Sequence, residues 1–373
     1  MKLYQFKELH KENFNAGSKA VEDATEIARR MGARSWRVLR LTDRDFPLPR
    51  MFNRFMAWLI WKAQELCIRL CFPKNVVLLN QHPLTTGRAL MRSVEGLRLV
   101  KWLRKEKGLR VVTLVHDISE LRSGDREVTE DMPDSLANML SYSDAVIVHN
   151  ERMRDWLISH GAEAKPLVVL GIFDYLTDAA FAEPDEGACR SITFAGNLRP
   201  DKCGFLTRTD EIPGVDWFLY GPKFDASAMK GAGIRYCGCM KPAELTHHLN
   251  KGFGLVWDGD ELETCAGEWG GYLKWNDPHK LSLYLAAGLP VVTWDNAATA
   301  GFISENDVGL TVASLKDLPA ALSAITADRY RELRANARRV AEKLRAGHFL
   351  MTAIKKALDE VSARAMPQNS CLN

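Results

Sequence analysis

NDPHKLSLYLAAGLPVV, residues 276–292, contains a marked helix start, a short apolar helix and the beginning of a buried strand. Pro278 suits the first helical position, where no backbone N–H is needed, and Asn276 or Asp277 can cap that turn. Gly288 stands where a helix ends, just ahead of the β-branched run. The stretch therefore predicts one helix–strand unit of an α/β fold.

Similar units recur along the chain. Continuous rather than alternating apolar runs are typical of strands buried on both faces, and so of parallel sheets covered by helices. The repetition of strand, loop and helix indicates an α/β fold, with too many strands for one open sheet. The predicted strands are VVLLN (76–80), RVVTLVHD (110–117), DAVIVHN (144–150), PLVVLGIF (166–173), SITFAGN (191–197), DWFLYGP (216–222), GFGLVWDGD (252–260) and LPVVTW (289–294).

The least patterned segment, 174–190, is acidic and separates two clusters of predicted strands. We therefore predict an N-terminal Rossmann-like domain over residues 1–175 and a second over 188–345. Residues 328–365 are helical by composition and period, and 346–373 are expected to form a terminal helix and tail. Two such domains imply a cleft, in which ligands bind beyond the carboxyl ends of the strands.

Composition places the chain among ordinary globular proteins, since 46% of its 373 residues are hydrophobic and 26% are charged. Residues 1–175 carry 28 Lys and Arg against 22 Asp and Glu, whereas the remainder carries 22 against 25. This basic half is compatible with an anionic membrane or phosphate as partner, although ordinary scatter of surface charge explains it more simply.

The question of membrane contact rests on the most apolar window, residues 51–72. Four charged residues interrupt it, so we reject a spanning helix, and the N-terminus has no signal peptide. A buried amphipathic helix is the simplest interpretation, and an interfacial helix helped by Trp58 and Trp61 is the alternative. The eight cysteines lack zinc-site spacing and fit a reducing cytoplasm. We expect a cytoplasmic location, with the N-terminal domain as the part that would touch the inner face of the membrane.

The start of the helix after Pro278 is a candidate anion site. Free N–H groups and the positive end of the helix dipole attract phosphate and disfavour a cation in the first turn. Lys280 lies in that turn, and a bound phosphate or diphosphate would offset the cost; the alternative is a solvated lysine beside Asp277. His279 is able to donate to the same anion or simply to pack.

A second strand end, FAGNLRPDK (194–202), also offers anion-binding groups. Asn197, Arg199 and Lys202 place amide and cationic donors at the predicted cleft. Arginine is suited to bidentate binding of phosphate.

The strand end LYGP (219–222) provides an aromatic side chain. Tyr220 is predicted to stack on or edge a base, with Gly221 allowing close approach, although a plain β-turn is equally consistent with the sequence. The glycine-bearing segment 261–275 is either a functional lid or an ordinary surface loop.

Two segments of the N-terminal half are weaker candidates. Asn15 and Gly17 precede a predicted helix, but they form neither a G-x-G-x-x-G motif nor a Walker A motif. His116 and Asp117 follow the strand RVVTLV, where a carboxylate or imidazole is a candidate general base. A structural His–Asp pair is the more common alternative.

Taken together, these segments resemble a bacterial glycosyltransferase family. That family includes the glucosyltransferases that extend N-acetylglucosamine on serine-rich repeat adhesins and the β-1,6-galactofuranosyltransferases of surface-polysaccharide clusters. The resemblance covers about residues 13 to 345 and is most specific over 261–292. The segments that carry it are NAGSKAVED, HDISELR, NERM, LGIFDYL, FAGNL, VWDGD and ETCAGEWGGYLKWNDPHKLSLYLAAGLPVV.

The resemblance implies a GT-B architecture, with two Rossmann-like domains facing a cleft. The acceptor-side domain would be N-terminal, the UDP-sugar domain C-terminal, and a terminal helix would cross back to the first domain. Such enzymes typically need no metal or other cofactor, because helix ends and cations neutralise the diphosphate. DGD at 258–260 imitates a metal motif, but we do not expect it to be one.

Members of that family make β-linkages from α-linked UDP-sugars, so the resemblance implies inversion and a base that takes the acceptor proton. Asp117 is the first candidate base and His116 the second. The paired glutamates common in GT-B donor sites are absent, with Leu283 at the position of the second, so ribose recognition must differ. The expected donor-binding residues are Asn15, Gly17, Asn197, Arg199, Lys202, Tyr220, Gly221, Asn276, His279, Lys280 and Tyr284.

The leading hypothesis is transfer of glucose, galactose or galactofuranose from a UDP-sugar to a glycan, glycolipid or glycoprotein. The alternatives on the same fold are a retaining transferase, a sugar-nucleotide epimerase and a non-catalytic partner subunit of a glycosylation complex. A homo-oligomer is compatible with the sequence. A nucleic-acid binder is not expected, since no basic and aromatic stripe is present.

Overall fold

Two parallel β-sheets covered by helices form the framework of the computed structural model, which describes residues 1–9, 16–39, 49–83, 94–122, 135–183 and 189–364. The strands are β1 (Leu3–Leu9), β2 (Arg34–Leu39), β3 (Val77–His82), β4 (Arg110–Val115), β5 (Ala145–Val148), β6 (Leu167–Val169), β7 (Ser191–Ala195), β8 (Asp216–Tyr220), β9 (Ile234–Tyr236), β10 (Phe253–Val256), β11 (Val291–Trp294) and β12 (Gly309–Val312). The helices are α1 (Ala16–Arg30), α2 (Arg50–Cys71), α3 (Val94–Lys107), α4 (Ser119–Arg122), α5 (Leu136–Tyr142), α6 (Glu151–Leu157), α7 (Pro200–Cys203), α8 (Pro242–Leu245), α9 (Gly267–Gly270), α10 (His279–Ala286), α11 (Ala300–Asn306), α12 (Leu318–Ser323), α13 (Ala327–Ala346) and α14 (His348–Ala363).

The first sheet has the strand order β2-β1-β3-β4-β5-β6, and its neighbouring strands are parallel. Successive side chains of β3 point to opposite faces, so Leu78 joins one core while Val77 and Leu79 join the other. Residues of α2, α3, α5 and α6 lie in the first of these cores, and α1 and α14 in the second. Burial on both faces is why the strand is continuously apolar.

The second sheet has the order β12-β11-β10-β7-β8-β9 and is also parallel. Its core includes the fully buried side chains of Trp217 and Trp257 and residues of α10 and α13. All eight predicted strands are present, so the α/β prediction is confirmed. The strands β1, β2, β9 and β12 were not predicted.

The C-terminal helical segment is divided between the two domains. Helix α13 packs in the core of the second sheet, and the chain then turns at Gly347, whose φ is +80°. Helix α14 inserts Leu350, Ile354 and Val361 beside Ile27 in a core of the first sheet. The predicted return of a terminal helix to the N-terminal domain is therefore confirmed.

Helix α2 differs from the buried helix that was the simplest expectation. It is one continuous 22-residue helix, anchored through Ile68 and Phe72. Much of its apolar surface nevertheless faces outward, and Trp58 is 49% exposed. In the described part of the chain, no helix combines the length and the apolar character needed to cross a membrane. The exposed large side chains of α2 are Met51, Phe52, Phe55, Trp58, Leu59, Leu66 and Leu70.

The N-terminal end of α10 departs from the prediction by one residue. Pro278 is extended and precedes the first helical residue, His279, and no side chain caps the turn. The expected cap from Asn276 or Asp277 is therefore wrong. The Asp277 carboxylate instead accepts a hydrogen bond from Asn150 of the other domain.

The C-terminal end of α10 follows the prediction at Gly288, where φ is +76°. The Gly288 N–H donates to Leu285 O at 2.8 Å, and the Leu289 N–H donates to Tyr284 O at 3.0 Å. These are the two hydrogen bonds of a Schellman motif, which turns the chain directly into β11.

Candidate functional site

The carboxyl ends of the two sheets meet in a shared cleft. Asn150, which follows β5, donates through Nδ2 to Trp275 O at 3.0 Å and to Asp277 Oδ1 at 2.7 Å. The Asp277 N–H donates to His149 Nδ1 at 3.0 Å. The segment before α10 is thereby fixed to the first domain, and residues from both sheets contribute to one site.

Lys280 lies on the C-terminal-domain side of this cleft, in a largely buried ion pair. Its Nζ donates to Asp258 Oδ1 at 2.6 Å and to Trp257 O at 3.2 Å, and the two charged side chains are only 12% and 11% exposed. The ammonium also lies 4.4 Å from the centre of the Phe194 ring. The Asp258 carboxylate of the DGD sequence is thus a counter-ion of a lysine.

Lys202 supplies a second cation next to this pair. Burial lowers the pKa of Lys202, and the nearby Lys280 lowers it further, while Asp258 opposes both. Its Nζ lies 4.8 Å from the centre of the Trp269 ring. Two lysines therefore share one carboxylate, which leaves this part of the cleft with an excess of positive charge suited to an anion.

Two glycines allow the backbone to form the floor of the cationic pocket. Gly221 has a φ of +138°, and a Cβ there would lie 1.8 Å from Gly196 O. A Cβ at Gly196 would lie 3.2 Å from Lys280 Cε. A side chain at Gly221 would collide with the backbone of Gly196, so glycine is needed there, whereas one at Gly196 would only press on the flexible Lys280 stem.

The two predicted tyrosines face the core of the C-terminal domain rather than the cleft. Tyr220 is 6% exposed and its hydroxyl donates to His248 O at 3.1 Å. Tyr284 is fully buried, and its hydroxyl accepts from the Ala195 N–H at 2.8 Å. The buried position of Tyr220 contradicts the expectation that it stacks on a base. The Tyr284 hydroxyl instead bonds to Ala195, the last residue of β7.

The other predicted donor-side residues differ in how they face the cleft. Arg199 is exposed and paired with Asp201, so its guanidinium is already engaged. Asn197 and Asn276 each have a buried side-chain oxygen with no hydrogen-bond partner among the described residues. These oxygens are acceptors.

His279 lies against the segment that links the domains. Its ring is 5.5 Å from Phe173 and 5.7 Å from Tyr175, measured between ring centres. Burial lowers the pKa of His279 to about 3, with Lys19 and His149 as smaller causes. Within the described part of the chain neither ring nitrogen has a hydrogen-bond partner. The imidazole is therefore neutral and retains one N–H to donate.

The glycine-bearing segment of the N-terminal domain is only partly described. Asn15 lies outside the described residues, and Gly17 is in the first turn of α1. Lys19 in the same turn pairs with Asp23 and donates to Leu176 O at 2.8 Å. The cation of this turn is thus already engaged within the protein.

The two candidate bases follow β4 and have different environments. His116 is enclosed, its Nε2 donates to Gln81 Oε1 at 2.8 Å, and burial lowers its pKa to about 3. Asp117 keeps a quarter of its side chain exposed and pairs with Arg122 at 3.0 Å. His116 is buried and already hydrogen-bonded to Gln81, whereas the Asp117 carboxylate is partly exposed, so accessibility favours Asp117 as the candidate base.

Sequence reasoning missed three residues that complete the cleft. Asp258 was considered only as an imitation of a metal motif, and Trp269 and Tyr272 were parts of an undivided glycine-bearing loop. Trp269 lies between the two domains, with the Arg122 guanidinium 5.0 Å from its ring centre. The available signal was the presence of two aromatic residues in a loop otherwise rich in glycine. Among the described residues no group of His, Cys, Asp and Glu is arranged to hold a metal ion.

Asp277 makes the contact between the domains sensitive to pH. Burial raises its pKa to about 7, and Oδ2 has no hydrogen-bond partner among the described residues. The folded protein therefore binds the proton more tightly than the unfolded chain does. The resulting stabilisation is complete below about pH 4, the ordinary pKa of aspartate, and is lost as the pH rises through 7.

The Asp277→Asn variant is expected to lack this loss. Asparagine keeps an oxygen for Asn150 and has no proton to release, so its melting temperature gains on wild type by about 2 °C or more between pH 5 and pH 8. Thermal unfolding of both proteins at several pH values measures the difference. Asp174, whose pKa burial also raises to about 7, is present in both and cancels. Parallel curves across the range would contradict the assignment.

Solved glycosyltransferases share the whole architecture. The lipopolysaccharide outer core galactosyltransferase WaaB superposes with a TM-score of 0.57 at 10% identity, covering 98% of this chain and 100% of that one. WaaG, a glycosyltransferase of lipopolysaccharide biosynthesis, superposes with a TM-score of 0.53 at 13% identity, covering 96% and 99%. Two Rossmann-like domains that face a common cleft, with a terminal helix crossing back, thus define a GT-B fold.

Comparisons at the level of sequence give the family. The family models for the N-terminal and C-terminal domains of Glucosyltransferase 3-like proteins match residues 4–172 and 192–357. Beta-1,6-galactofuranosyltransferase WbbI of Escherichia coli K12 is 34% identical over 68% of this chain and 73% of its own length. Glucosyltransferase 3 of Streptococcus gordonii is 26% identical over 76% and 80%. The chain belongs to the Glucosyltransferase 3-like family and is a glycosyltransferase.

Proposed function

We propose that this protein transfers a hexosyl residue from a UDP-sugar to an acceptor hydroxyl with inversion. The observation that carries the proposal is the cluster of Lys280 and Lys202 around Asp258, called here the cationic pocket. Trp269 connects it to the other domain, because its ring lies against Lys202 and against Arg122, the partner of Asp117. This arrangement offers positive charge for a leaving diphosphate on one side and a proton acceptor on the other.

The diphosphate would replace Asp258 as the main partner of the lysines. In the ligand-free pocket Asp258 already draws Lys280 close to Gly196. A diphosphate has more charge than one carboxylate, and the positive end of the α10 dipole adds to its stabilisation. The side-chain amides of Asn197 and Asn276 would contribute donors only through Nδ2, since the atoms without a partner are their oxygens.

The reaction would be one direct displacement. The acceptor oxygen forms a bond to the anomeric carbon while the bond from that carbon to the diphosphate oxygen breaks. The acceptor proton passes to the Asp117 carboxylate, and UDP leaves with the bonding electron pair on the cationic pocket. No metal is required by this scheme, and the expectation of none remains a prediction.

Glucose, galactose and galactofuranose are the candidate sugars, with the names of the two sequence relatives supporting glucose and galactofuranose. The acceptor would be a glycan, glycolipid or glycoprotein in cell-surface polysaccharide or glycoprotein synthesis. Incubation with separate UDP-hexoses, read by UDP release, tests the proposal. We expect one donor to exceed the others clearly, and an NMR spectrum of the product to show the inverted anomeric configuration. Retention of configuration would indicate the alternative retaining mechanism.

Contact with the inner face of the membrane is the second part of the proposal. The exposed apolar side chains of α2 include Trp58 and Phe55, and they lie on the same helix as Arg54, Lys62 and Arg69. Aromatic residues next to basic ones favour an anionic lipid surface. A cytoplasmic location and a homo-oligomer remain predictions of the sequence.

Lipid binding is testable by co-sedimentation with vesicles. We expect binding to vesicles that contain phosphatidylglycerol, and at least a tenfold weaker binding after Phe55→Ser and Trp58→Ser, because about 0.8 kcal/mol is lost for each buried CH₂ group. Vesicles of phosphatidylcholine alone are the control for charge. Equal binding by the double variant would reject this part of the proposal.

A further inference from the structure

Tyr272 reaches across the cleft to the segment that carries the candidate base. It lies in the 3₁₀ turn Gly271–Lys274 of the donor domain, and its ring is 7% exposed. The hydroxyl oxygen accepts the Ile118 N–H at 3.2 Å, and Ile118 directly follows Asp117 in the chain. The phenol thus contacts, from the other domain, the backbone next to the candidate base.

Contacts from both domains therefore converge on the segment that contains Asp117. Arg122, on the short helix α4 of the same domain, pairs with Asp117 Oδ2 at 3.0 Å. Tyr272 approaches Ile118 from the C-terminal domain, and burial, with the Asp117 charge as a smaller cause, raises the pKa of the phenol well above its ordinary value. The phenol therefore keeps its proton next to the Asp117 charge.

Tyr272 is also connected to the diphosphate side of the cleft. Its backbone oxygen accepts the Trp275 N–H at 2.9 Å and the Asn276 N–H at 3.1 Å, immediately ahead of α10. Trp269, three residues earlier, lies between Arg122 of the first domain and Lys202 of the second. The loop thus contacts the cationic pocket and the carboxylate at once.

We propose that Tyr272 is a positioning residue, which orients the Asp117 carboxylate for proton transfer through a contact formed only when the two domains are closed. This inference rests on the proposed role of Asp117 as base. Its consequence is that the loop beside the diphosphate pocket also fixes the orientation of the base. A donor that stabilises this loop would thereby also stabilise the correct geometry of the base.

The Tyr272→Phe variant separates the hydroxyl from the packing of the ring. We expect kcat for sugar transfer to fall about tenfold, because misplacing a reacting group by a fraction of an ångström is costly, with KM for the UDP-sugar changed less than twofold. In the Asp117→Asn background, Tyr272→Phe should cause no further loss. Tyr330→Phe is the matched control, because that tyrosine is 1% exposed and its hydroxyl donates to Gly252 O at 2.9 Å, away from the cleft.

The double-mutant cycle distinguishes positioning from a purely structural role. The same tenfold loss in both backgrounds, or an unchanged kcat in the single variant, would overturn the proposal. Melting temperatures of Tyr272→Phe and Tyr330→Phe show whether the two substitutions lower the stability of the fold by similar amounts. If wild type releases no UDP from any UDP-hexose, the proposed function itself fails, independently of the comparison at Tyr272. If Asp117→Asn is fully active, the base assignment and the Tyr272 proposal fail together, while UDP-sugar transfer still stands.

Discussion

Replacement of Lys280 by alanine is expected to lower kcat/KM for the UDP-sugar by about 10- to 100-fold, the loss of one or more hydrogen bonds to a charged group. The Lys280 ammonium lies at the carboxyl edge of the second sheet, beside the start of α10. Lys202 is close enough for the two positive charges to repel each other. A diphosphate bound there gains most of its charge compensation from these two lysines. Steady-state UDP release over a range of donor concentrations measures the change.

The controls for Lys280→Ala must separate the loss of the charge, a loss of stability of the fold and the loss of donor binding. Removal of the ammonium leaves the Asp258 carboxylate buried without its lysine, which is destabilising by itself. The double variant Lys280→Met with Asp258→Asn removes both charges, so it should recover stability while donor use stays low. Lys274→Ala, at an exposed lysine of the 3₁₀ turn Gly271–Lys274 before α10, should keep wild-type kcat/KM. A fully active Lys280→Ala enzyme would reject the pocket as the diphosphate site.

The second large effect is expected at Asp117. Asp117→Asn keeps the shape of the side chain and its contact with Arg122, but it cannot accept the acceptor proton. Loss of a general base typically costs 10²–10⁴-fold in rate, so we expect kcat to fall by about that factor while donor affinity is preserved. Turnover with an excess of acceptor, together with UDP affinity from calorimetry, measures the two quantities separately.

Asp155→Asn is the matched control for this substitution. Asp155 is 63% exposed in the helix α6 and pairs only with a neighbouring arginine among its described ion pairs, so its loss should leave kcat unchanged. An undiminished kcat in Asp117→Asn would exclude Asp117 as base. A parallel loss of UDP affinity would instead assign it to donor binding.

The fold was predictable where strands are buried on both faces. The run VVLLN fills β3 with apolar side chains because one set faces each core. Strands β2, β9 and β12 lie at sheet edges and have partly exposed positions, and β1 contains Gln5, Lys7 and Glu8. Because these segments contain both polar and apolar residues, they lack a continuous apolar run. Strand propensity and hydrophobic periodicity therefore did not identify them as strands.

The site was predictable in part, because glycine and charge at strand ends indicate where ligands approach. Gly221 and Lys202 were selected in this way and Lys280 by its place in the first turn of a helix, and their role in donor binding stays a prediction. The orientation of Tyr220 was not predictable, because a strand in a parallel sheet has two buried faces and the sequence does not tell which face a given residue occupies. The contact of Tyr272 with Ile118, the residue after Asp117, depends on how the two domains pack. The two residues are 154 positions apart in the chain, and no local pattern encodes their contact.

The most direct test of the central claim compares the binding of UDP and uridine by calorimetry in wild type and in Lys280→Met with Asp258→Asn. The two ligands differ only in the diphosphate, so the ratio of their affinities isolates its contribution. We expect wild type to bind UDP about 100-fold more tightly than uridine, and the double variant to lose most of that ratio while uridine affinity stays the same. An equal ratio in both proteins would contradict the account, because the diphosphate would then bind elsewhere.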